Sequence, residues 1–260
     1  MRALAWLALF IWANPGFAWG PEGHRLVARM AQDLLTPAAA AQVQATLGPE
    51  QSLAGVSSWA DEVRNTRKET EPWHYINIPI SGSGLDMTRD CPAAGCVVSK
   101  IKEFRAEWRD ASLAPERRRE ALLFLVHFVG DMHEPLHCSD NHDHGGNQTF
   151  VEFEGARTSL HRLWDAGLMQ RMPSEDQLFA TMEKAITPGE RAEWSRGSVE
   201  DWAEESFEVA RRLVYGELPP PAGTDSLRIG EAYEHAAEPV IEVQLEKAAV
   251  RLAAILNEAP

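Results

Sequence analysis

Histidine and aspartate are paired at a regular spacing in this sequence, and the pattern indicates metal binding. His127 precedes Asp131 by four residues, and His161 precedes Asp165 by four, which places each pair on one face of a helix. The first pair lies in the apolar run ALLFLVHFVGDM, where an unpaired charge would cost several kcal/mol to bury. A bound cation would remove that cost, and imidazole with carboxylate is the ligand set of catalytic zinc sites.

Each pair taken alone is more typical of a satisfied core histidine or a surface ion pair, so the metal prediction depends on further ligands. His142 and His144 stand in the polar stretch SDNHDHGG, which is typical of a solvated loop that could also take up metal. His133 and His235 receive no role. The further candidate ligands lie at predicted element boundaries, where side chains can converge; they are His24, Asp61, His74 and His137.

The elements that must position these side chains are mostly helices, because apolar residues recur at helical spacing along most of the chain. Glu71–Ile80 alternates like a short extended segment, and Asn147–Glu154 with Arg157–Leu160 is typical of a β-hairpin. We predict a single, mainly α-helical domain with a small β-hairpin. The predicted helices begin near Pro21, Pro37 (capped by Thr36), Ser57 and Glu116, continue from His161 through Tyr215, and end with one from Glu231 to Leu256.

The first 18 residues are predicted to be a secretory signal peptide. A positively charged start precedes the run ALAWLALFIWA, which is too short to span a bilayer comfortably, and GFA offers small residues for cleavage after Ala18. The Asn-Pro-Gly break between them disfavours the alternative, a buried N-terminal helix. The mature protein would be one catalytic domain over 19–260, beginning at Trp19. We expect it to be secreted or periplasmic, with no membrane-spanning segment.

The cysteines fit an oxidising compartment. Cys91 and Cys96 bracket the short loop CPAAGC, so we predict a disulfide between them. Cys138 is left over as a shielded free thiol, although its position next to His137 makes zinc ligation conceivable.

The charge balance argues against the class of proteins that bind duplex nucleic acid through a basic surface. The formal net charge is −14, while the hydrophobic fraction of 44% is ordinary for a globular protein. Any binding of nucleic acid must therefore obtain its positive charge locally, and bound metal could supply it.

Several short motifs occur in an order that is more specific than any one of them. Together they resemble the three-zinc single-strand nuclease and 3′-nucleotidase family of fungi, plants and bacteria (the nuclease S1/P1 type), whose fold is similar to that of zinc-dependent phospholipase C. The resemblance, with a closing helix at QLEKAAVRLAAILN, covers nearly the whole mature chain. The motifs are Trp19-Gly20, His24, Trp59-Ala60-Asp61, Trp73-His74-Tyr75, His127-x-x-x-Asp131, HEPLH at 133–137, Gly145-Gly146-Asn147 and His161-x-x-Trp164-Asp165.

The resemblance implies three zinc ions, each with its own ligands. The first would be bound by Asp61, His74, His127 and Asp131. The second would be bound by the α-amine and carbonyl oxygen of Trp19, by His24 and by a bridging Asp131. The third would be bound by His137, His161 and Asp165. Cleavage after Ala18 is what would turn the Trp19 nitrogen into an amine that binds metal; otherwise Trp19 is a core aromatic.

The resemblance also implies the reaction. The protein would be a secreted, zinc-dependent endonuclease that cleaves single-stranded DNA and RNA to 5′-phosphorylated products and also acts on 3′-nucleotides. Asp61 would orient the attacking water, and Arg64, one helical turn later, would stabilise the developing negative charge. Without the resemblance, Arg64 would be interpreted as an exposed helix residue.

Three further residues are implied in substrate binding. Tyr75 corresponds to the family's base-stacking aromatic, although it could be a core residue, and Asn147 corresponds to its phosphate-positioning asparagine. Asn77 stands where many members have an aspartate, which leaves the base preference open. Asn147 also begins the sequon Asn147-Gln148-Thr149; a glycan there would obstruct the site, so we predict that it is unused.

Two competing functions remain at the level of sequence. A zinc-dependent phospholipase C shares the N-terminal Trp and the His/Asp cluster, but Arg64, the Gly-Gly-Asn loop and the histidine spacing fit the nuclease better. A secreted structural zinc protein would need closed metal sites with no room for water. We expect a monomer with no stable protein partner.

Overall fold

The chain folds mainly into α-helices, as predicted. The computed structural model describes residues 19–220 and 227–258. The helices are α1 (Gly20–Asp33), α2 (Pro37–Leu47), α3 (Leu53–Val56), α4 (Trp59–Val63), α5 (Met87–Asp90), α6 (Val97–Arg109), α7 (Pro115–His133), α8 (Leu160–Arg162), α9 (Glu175–Ala185), α10 (Pro188–Trp194), α11 (Val199–Val209) and α12 (Glu231–Leu256). Tighter or wider helical turns cover Lys68–His74, Pro135–Cys138, Leu163–Gly167, Met169–Arg171 and Ala210–Val214.

Helix α7 is the centre of the molecule. Every residue from Ala121 to His133 is buried, because α6, α1 and α12 pack against it. The helix ends at His133 because the next residue, Glu134, precedes a proline and adopts extended backbone angles (φ −82°, ψ 116°). The helix predicted to begin near Glu116 is therefore confirmed, and the apolar run ALLFLVHFVGDM is explained by the central position of this helix.

Two other predicted helix starts also form. The Thr36 Oγ1 atom accepts a hydrogen bond from the Ala39 N–H at 3.2 Å, with Pro37 in the first turn. Helix α4 begins at Trp59 as expected, but Ser58 provides no side-chain cap. The cap belongs instead to the short α3 before it, where Ser52 accepts from the Gly55 N–H.

The segment predicted as extended over 71–80 is wrong in its first half. Lys68–His74 forms a 3₁₀ turn that contains Pro72, and the chain becomes extended only at Tyr75. From there the backbone pairs with the segment after α7: the Ile76 N–H donates to the His137 carbonyl at 2.8 Å. This pairing anchors the chain next to His74 beside the segment that carries His137.

The predicted β-hairpin is confirmed and belongs to a slightly larger sheet. Strand β1 (Phe150–Phe153) pairs antiparallel with β2 (Ala156–Ser159) through a two-residue turn at Glu154 and Gly155, both with positive φ. Strand β3 (Leu227–Arg228), which pairs parallel with β1, was not predicted from the sequence. Two residues carry no periodicity from which a strand could be predicted.

The cysteines are arranged as predicted. Cys91 and Cys96 form a disulfide that closes the loop before α6. Cys138 is buried and free, and its thiol donates to the Met132 carbonyl. The predicted signal peptide and its cleavage site after Ala18 lie outside the described residues. No helix in the described part of the chain is long and apolar enough to cross a membrane.

A buried arginine fixes the C-terminal end of α7. Arg251 of α12 donates to the His133 Nε2 atom at 2.9 Å, to the Trp194 carbonyl at 3.0 Å and to the Glu205 carboxylate at 2.7 Å. His133 therefore has a structural role, with its Nδ1–H donated to the Val129 carbonyl. One side chain thus joins α12 to α7, α10 and α11.

We predict that Arg251→Ala destabilises the fold by about 3 kcal/mol, since it removes a buried side chain that joins four helices and leaves the buried His133 Nε2 atom without a donor. Chemical denaturation of the variant and the parent protein measures the difference. Arg109→Ala is the control: this arginine is largely exposed and pairs with Glu258, so its loss should cost only about 0.5 kcal/mol. Equal stability losses in the two variants would contradict the structural role of Arg251.

Candidate metal centre

The eight side chains predicted as metal ligands are all buried and converge. His127 and Asp131 come from α7, His24 from α1 and Asp61 from α4, and both α1 and α4 pack against α7. Ligand atoms within each of three groups lie no more than 4.8 Å apart. The groups are Asp61, His74 and His127; His24, His127 and Asp131; and Glu134, His137, His161 and Asp165.

Asp131 lies between the first two groups. Its Oδ1 atom is 3.2 Å from the His24 Nε2 atom and 3.3 Å from the His127 Nε2 atom. Its Oδ2 atom faces the other way, 2.9 Å from the His74 Nδ1 atom. The two oxygens of one carboxylate thus point to different imidazoles, which is the arrangement that a bridging ligand requires.

Backbone carbonyls fix the orientation of two of the histidines. The His127 Nδ1–H donates to the Ser57 carbonyl at 2.7 Å, and the His161 Nδ1–H donates to the Gly145 carbonyl at 2.6 Å. In each case the Nε2 atom is left facing its group. Metal-binding histidines usually donate their other ring N–H in this way.

Buried polar atoms without partners provide the physical test of metal binding. A buried donor or acceptor without a partner costs about 1–3 kcal/mol, and concentrating several of them in one place is costly unless a ligand satisfies them. Their types are imidazole nitrogen and carboxylate oxygen, so the donor set fits a divalent cation such as zinc. Among the described residues, atoms without a well-oriented hydrogen bond include both ring nitrogens of His24, Nε2 of His74 and His127, one oxygen each of Asp61 and Asp131, and both oxygens of Asp165.

The protonation preferences follow from burial and neighbouring charges. Burial opposes ionisation of Asp131, but the surrounding imidazoles, His127 foremost, hold the pKa of its carboxyl well below its usual range. Burial raises the pKa of Asp165 well above its usual range, and the nearby carboxylates add to the shift. Burial lowers the pKa of His137 and of His161 to about 4. Both imidazoles are therefore neutral at neutral pH, the form that binds metal.

A cleft of about 310 Å³ opens beside these groups. All four residues predicted to bind substrate line it: Arg64, Tyr75, Asn77 and Asn147. The cleft also exposes three of the candidate ligands, His74, His137 and His161. Substrate in the cleft would therefore contact the metal groups directly, which a closed structural site would not allow.

Arg64 points toward the centre. Its Nη1 atom is 3.4 Å from the Asp61 Oδ1 atom, and its side chain is largely buried. The sequence left an exposed helix arginine as the alternative, and the structure excludes it. A guanidinium at this place can stabilise negative charge that develops in the cleft.

The loop that carries Asn147 is held in an unusual backbone conformation. His142, His144, Gly145 and Gly146 all have positive φ; a Cβ atom on Gly145 would lie 2.7 Å from the Leu136 carbonyl oxygen. Strain of this kind is typical of functional sites. The loop positions the Gly145 carbonyl to accept the hydrogen bond from the His161 Nδ1–H, and His144 lines the cleft.

Asp143 holds this loop together. Its carboxylate accepts hydrogen bonds from the Gly146 N–H, the Thr149 hydroxyl and the Tyr215 hydroxyl. Because Tyr215 follows α11, the loop is tied to the helical part of the molecule.

Glu134, Lys68 and Gly130 belong to the site but were not predicted from the sequence. Glu134 joins the third group, and Lys68 lines the cleft. Gly130 is the place where α7 meets His24: a Cβ atom there would lie 2.7 Å from the His24 Nδ1 atom. A lone glycine inside an apolar helix, next to Asp131, was the signal for it. Nothing in the sequence singled out Lys68.

Trp19 lies immediately before α1, next to the helix that carries His24. Its side chain is fully buried, and its carbonyl accepts a hydrogen bond from the Gly23 N–H at 3.1 Å. Its α-amine would exist only after cleavage next to Ala18, which lies outside the described residues.

Comparison with known proteins identifies close similarity to nucleases. The family described as S1/P1 Nuclease matches residues 19–259. Nuclease PA3 from Penicillium sp is 34% identical over 92% of this chain and 97% of its own length, and Nuclease P1 from Penicillium citrinum is 33% identical over the same shares. Endonuclease 2 from Arabidopsis thaliana is 30% identical over 99% of this chain and 95% of its own length. These relatives favour the nuclease over the phospholipase.

We predict that Gly130→Ala weakens metal binding by about tenfold or more, because the added methyl group displaces the His24 imidazole from the side of Asp131. Titration of the metal-free protein with Zn²⁺, in competition with a chromophoric chelator, measures the affinity. Gly189→Ala in α10 is the matched control, since that helical glycine has room for a Cβ atom. Parental zinc affinity in the Gly130 variant would show that His24 does not depend on this contact.

Proposed function

The chain belongs to the S1/P1 nuclease family and is an enzyme that hydrolyses nucleic acid, and on that premise we propose that it is a zinc-dependent endonuclease of single-stranded DNA and RNA. Family membership implies a metal cofactor, and the buried histidine and aspartate groups could bind it. The observation that carries the proposal is the convergence of these groups, with orphaned ligand atoms, beside a cleft lined by Arg64 and Tyr75.

We assign three zinc ions to the centre. The two carboxylate oxygens of Asp131 face histidines assigned to different ions, His24 and His74, which supports its role as a bridge between the first two ions. Trp19, at the start of α1, would complete the ligand set of the second ion with its α-amine and carbonyl oxygen, once the signal peptide has been removed. The ligands are Asp61, His74, His127 and Asp131 for the first ion; Trp19, His24 and Asp131 for the second; and His137, His161 and Asp165 for the third.

In the proposed reaction, zinc, Asp61 and Arg64 have different chemical roles. When bound, zinc lowers the pKa of water and neutralises phosphate charge. Asp61, beside His127 and Arg64, orients the attacking water and accepts its hydrogen bond. The Arg64 guanidinium stabilises the negative charge that grows on the phosphate in the transition state. Departure of the 3′ oxygen leaves a 5′-phosphorylated product, and the same arrangement would release phosphate from a 3′-nucleotide.

The cleft accounts for the proposed preference for single strands. Tyr75 is more than one-third exposed and lines the cleft, so an unstacked base can stack on its ring. Asn77 follows two residues later and would contact the edge of that base, while Asn147 would position the phosphate from the opposite loop. A base inside a duplex is already stacked and is not available to Tyr75.

The remaining parts of the proposal concern the protein in its setting. We propose that the chain is exported, to a periplasm or to the medium, with the signal peptide removed before Trp19. The Cys91–Cys96 disulfide is consistent with an oxidising compartment. We propose that it acts as a monomer.

The direct test compares cleavage of heat-denatured and duplex DNA by the processed chain, 19–260, with and without a zinc chelator. We predict that the single strand is cleaved preferentially and that the chelator abolishes cleavage. His127→Ala should reduce the rate by at least 1000-fold (roughly 4 kcal/mol), since His127 belongs to two ligand groups.

The matched control is His235→Ala, because His235 is largely exposed and lies outside the metal groups. It should retain the parental rate. Cleavage that persists in the chelator, or a His127 variant as active as the control, would refute a metal-dependent mechanism at this centre.

We further predict that Tyr75→Ala raises the KM for single-stranded oligonucleotides about tenfold, because stacking contributes about 1–3 kcal/mol per base. Tyr75→Phe retains an aromatic face and should keep the parental KM. Steady-state kinetics on a short oligonucleotide measures both. If alanine and phenylalanine gave the same KM, Tyr75 would not be a stacking residue.

A further inference from the structure

Glu134 is a buried carboxylate that the ligand assignment leaves without a role. It lies between the end of α7 and the turn Pro135–Cys138, with no exposed surface. Its Oε2 atom is 2.6 Å from the His137 Nδ1 atom and also accepts from the His137 backbone N–H at 2.9 Å. Its Oε1 atom has no hydrogen-bond partner among the described residues.

A purely structural cap explains only part of this geometry. The bond from the His137 backbone N–H satisfies one donor at the start of the turn, and any short polar side chain could accept it. The cap requires neither the second bond to the imidazole nor a fully buried carboxylate with one free oxygen. Burying such a group costs several kcal/mol unless a positive charge lies nearby.

Glu134 lies in one of the candidate metal groups, where a bound cation would supply that positive charge. It belongs to the same group as His137, His161 and Asp165, with ligand atoms no more than 4.8 Å apart. The first ion has two carboxylates in its assigned set, Asp61 and Asp131, whereas the third has only Asp165. Glu134 supplies the second carboxylate to the third group.

We propose that Glu134 is the positioning residue of the third zinc ion. Its Oε2 atom holds His137 as the Nδ1–H tautomer, so that the Nε2 atom binds metal, and its negative charge strengthens binding at this site and not at the other two. The proposal rests on the three-zinc centre proposed above. Partners of metal-binding histidines contribute about 10- to 100-fold to metal affinity.

Glu134→Gln separates this role from a structural one. The glutamine carbonyl oxygen can accept the same two hydrogen bonds, so the variant removes the charge and retains the shape. Glu246→Gln is the matched control, because Glu246 is a buried carboxylate of α12 that lies outside the metal groups. Thermal unfolding of the metal-free proteins checks that both variants fold.

The measurement is the stoichiometry and affinity of Zn²⁺ binding to metal-free 19–260, by competition with a chromophoric chelator. The parent and Glu246→Gln should each bind three ions, and the affinity at each site should be the same in the two proteins. Glu134→Gln should bind two ions as the parent does and the third at least tenfold more weakly. Equal weakening of all three ions, or an unchanged third ion, would overturn the proposal.

A second measurement needs no variant. Long-range ¹H–¹⁵N spectra of the zinc-loaded protein, with labelled histidine, report which ring nitrogen of His137 carries hydrogen. The proposal requires Nδ1–H with metal on Nε2, and the opposite tautomer would overturn it.

The zinc titration also separates failure of this proposal from failure of the metal count. A parent that binds three ions while Glu134→Gln behaves identically would refute the role of Glu134 alone. A parent that binds fewer than three would refute the metal count as well.

Discussion

Burial of the Asp131 carboxylate is the constraint on which the rest of the structure depends. It has no exposed surface and lies on a helix that is buried from Ala121 to His133 and is mostly apolar there. A charge in such a place needs several donors or a cation, and α7 cannot supply enough of them by itself. His24 and His74 therefore approach from other parts of the chain. Their remaining unpartnered nitrogens are placed to bind a metal ion, whose charge would complete the balance.

The helices and the strained loop around His142–Gly146 contribute to this centre in different ways. The helices fix the deep ligands, and Arg251 and Gln244 of α12 hold the end of α7 through His133. The open side is formed by a loop in left-handed backbone conformations, which Asp143 ties to Tyr215. Substrate would therefore meet a surface formed by loops, while the candidate metal ligands are held in place by the core.

Much of the site could be predicted because its information is local. The apolar run around His127 and Asp131 predicted a buried helix, the order of the short motifs predicted the candidate ligands, and the short loop from Cys91 to Cys96 predicted a disulfide. The parts that were missed depend on long-range contacts. Strand β3 exists because β1 pairs with it, and the 3₁₀ turn before Tyr75 forms where the chain meets the segment after α7. Lys68 lies at the start of this turn and lines the cleft.

The most direct test of the account is anomalous diffraction at the zinc absorption edge, on crystals of the processed chain 19–260 grown with zinc. The account predicts three neighbouring peaks: one between Asp61 and His127, one beside His24 and in contact with the Trp19 amine, and one beside His161. Absence of peaks among these residues, or a peak at His24 that does not contact the Trp19 amine, would contradict a metal centre completed by removal of the signal peptide.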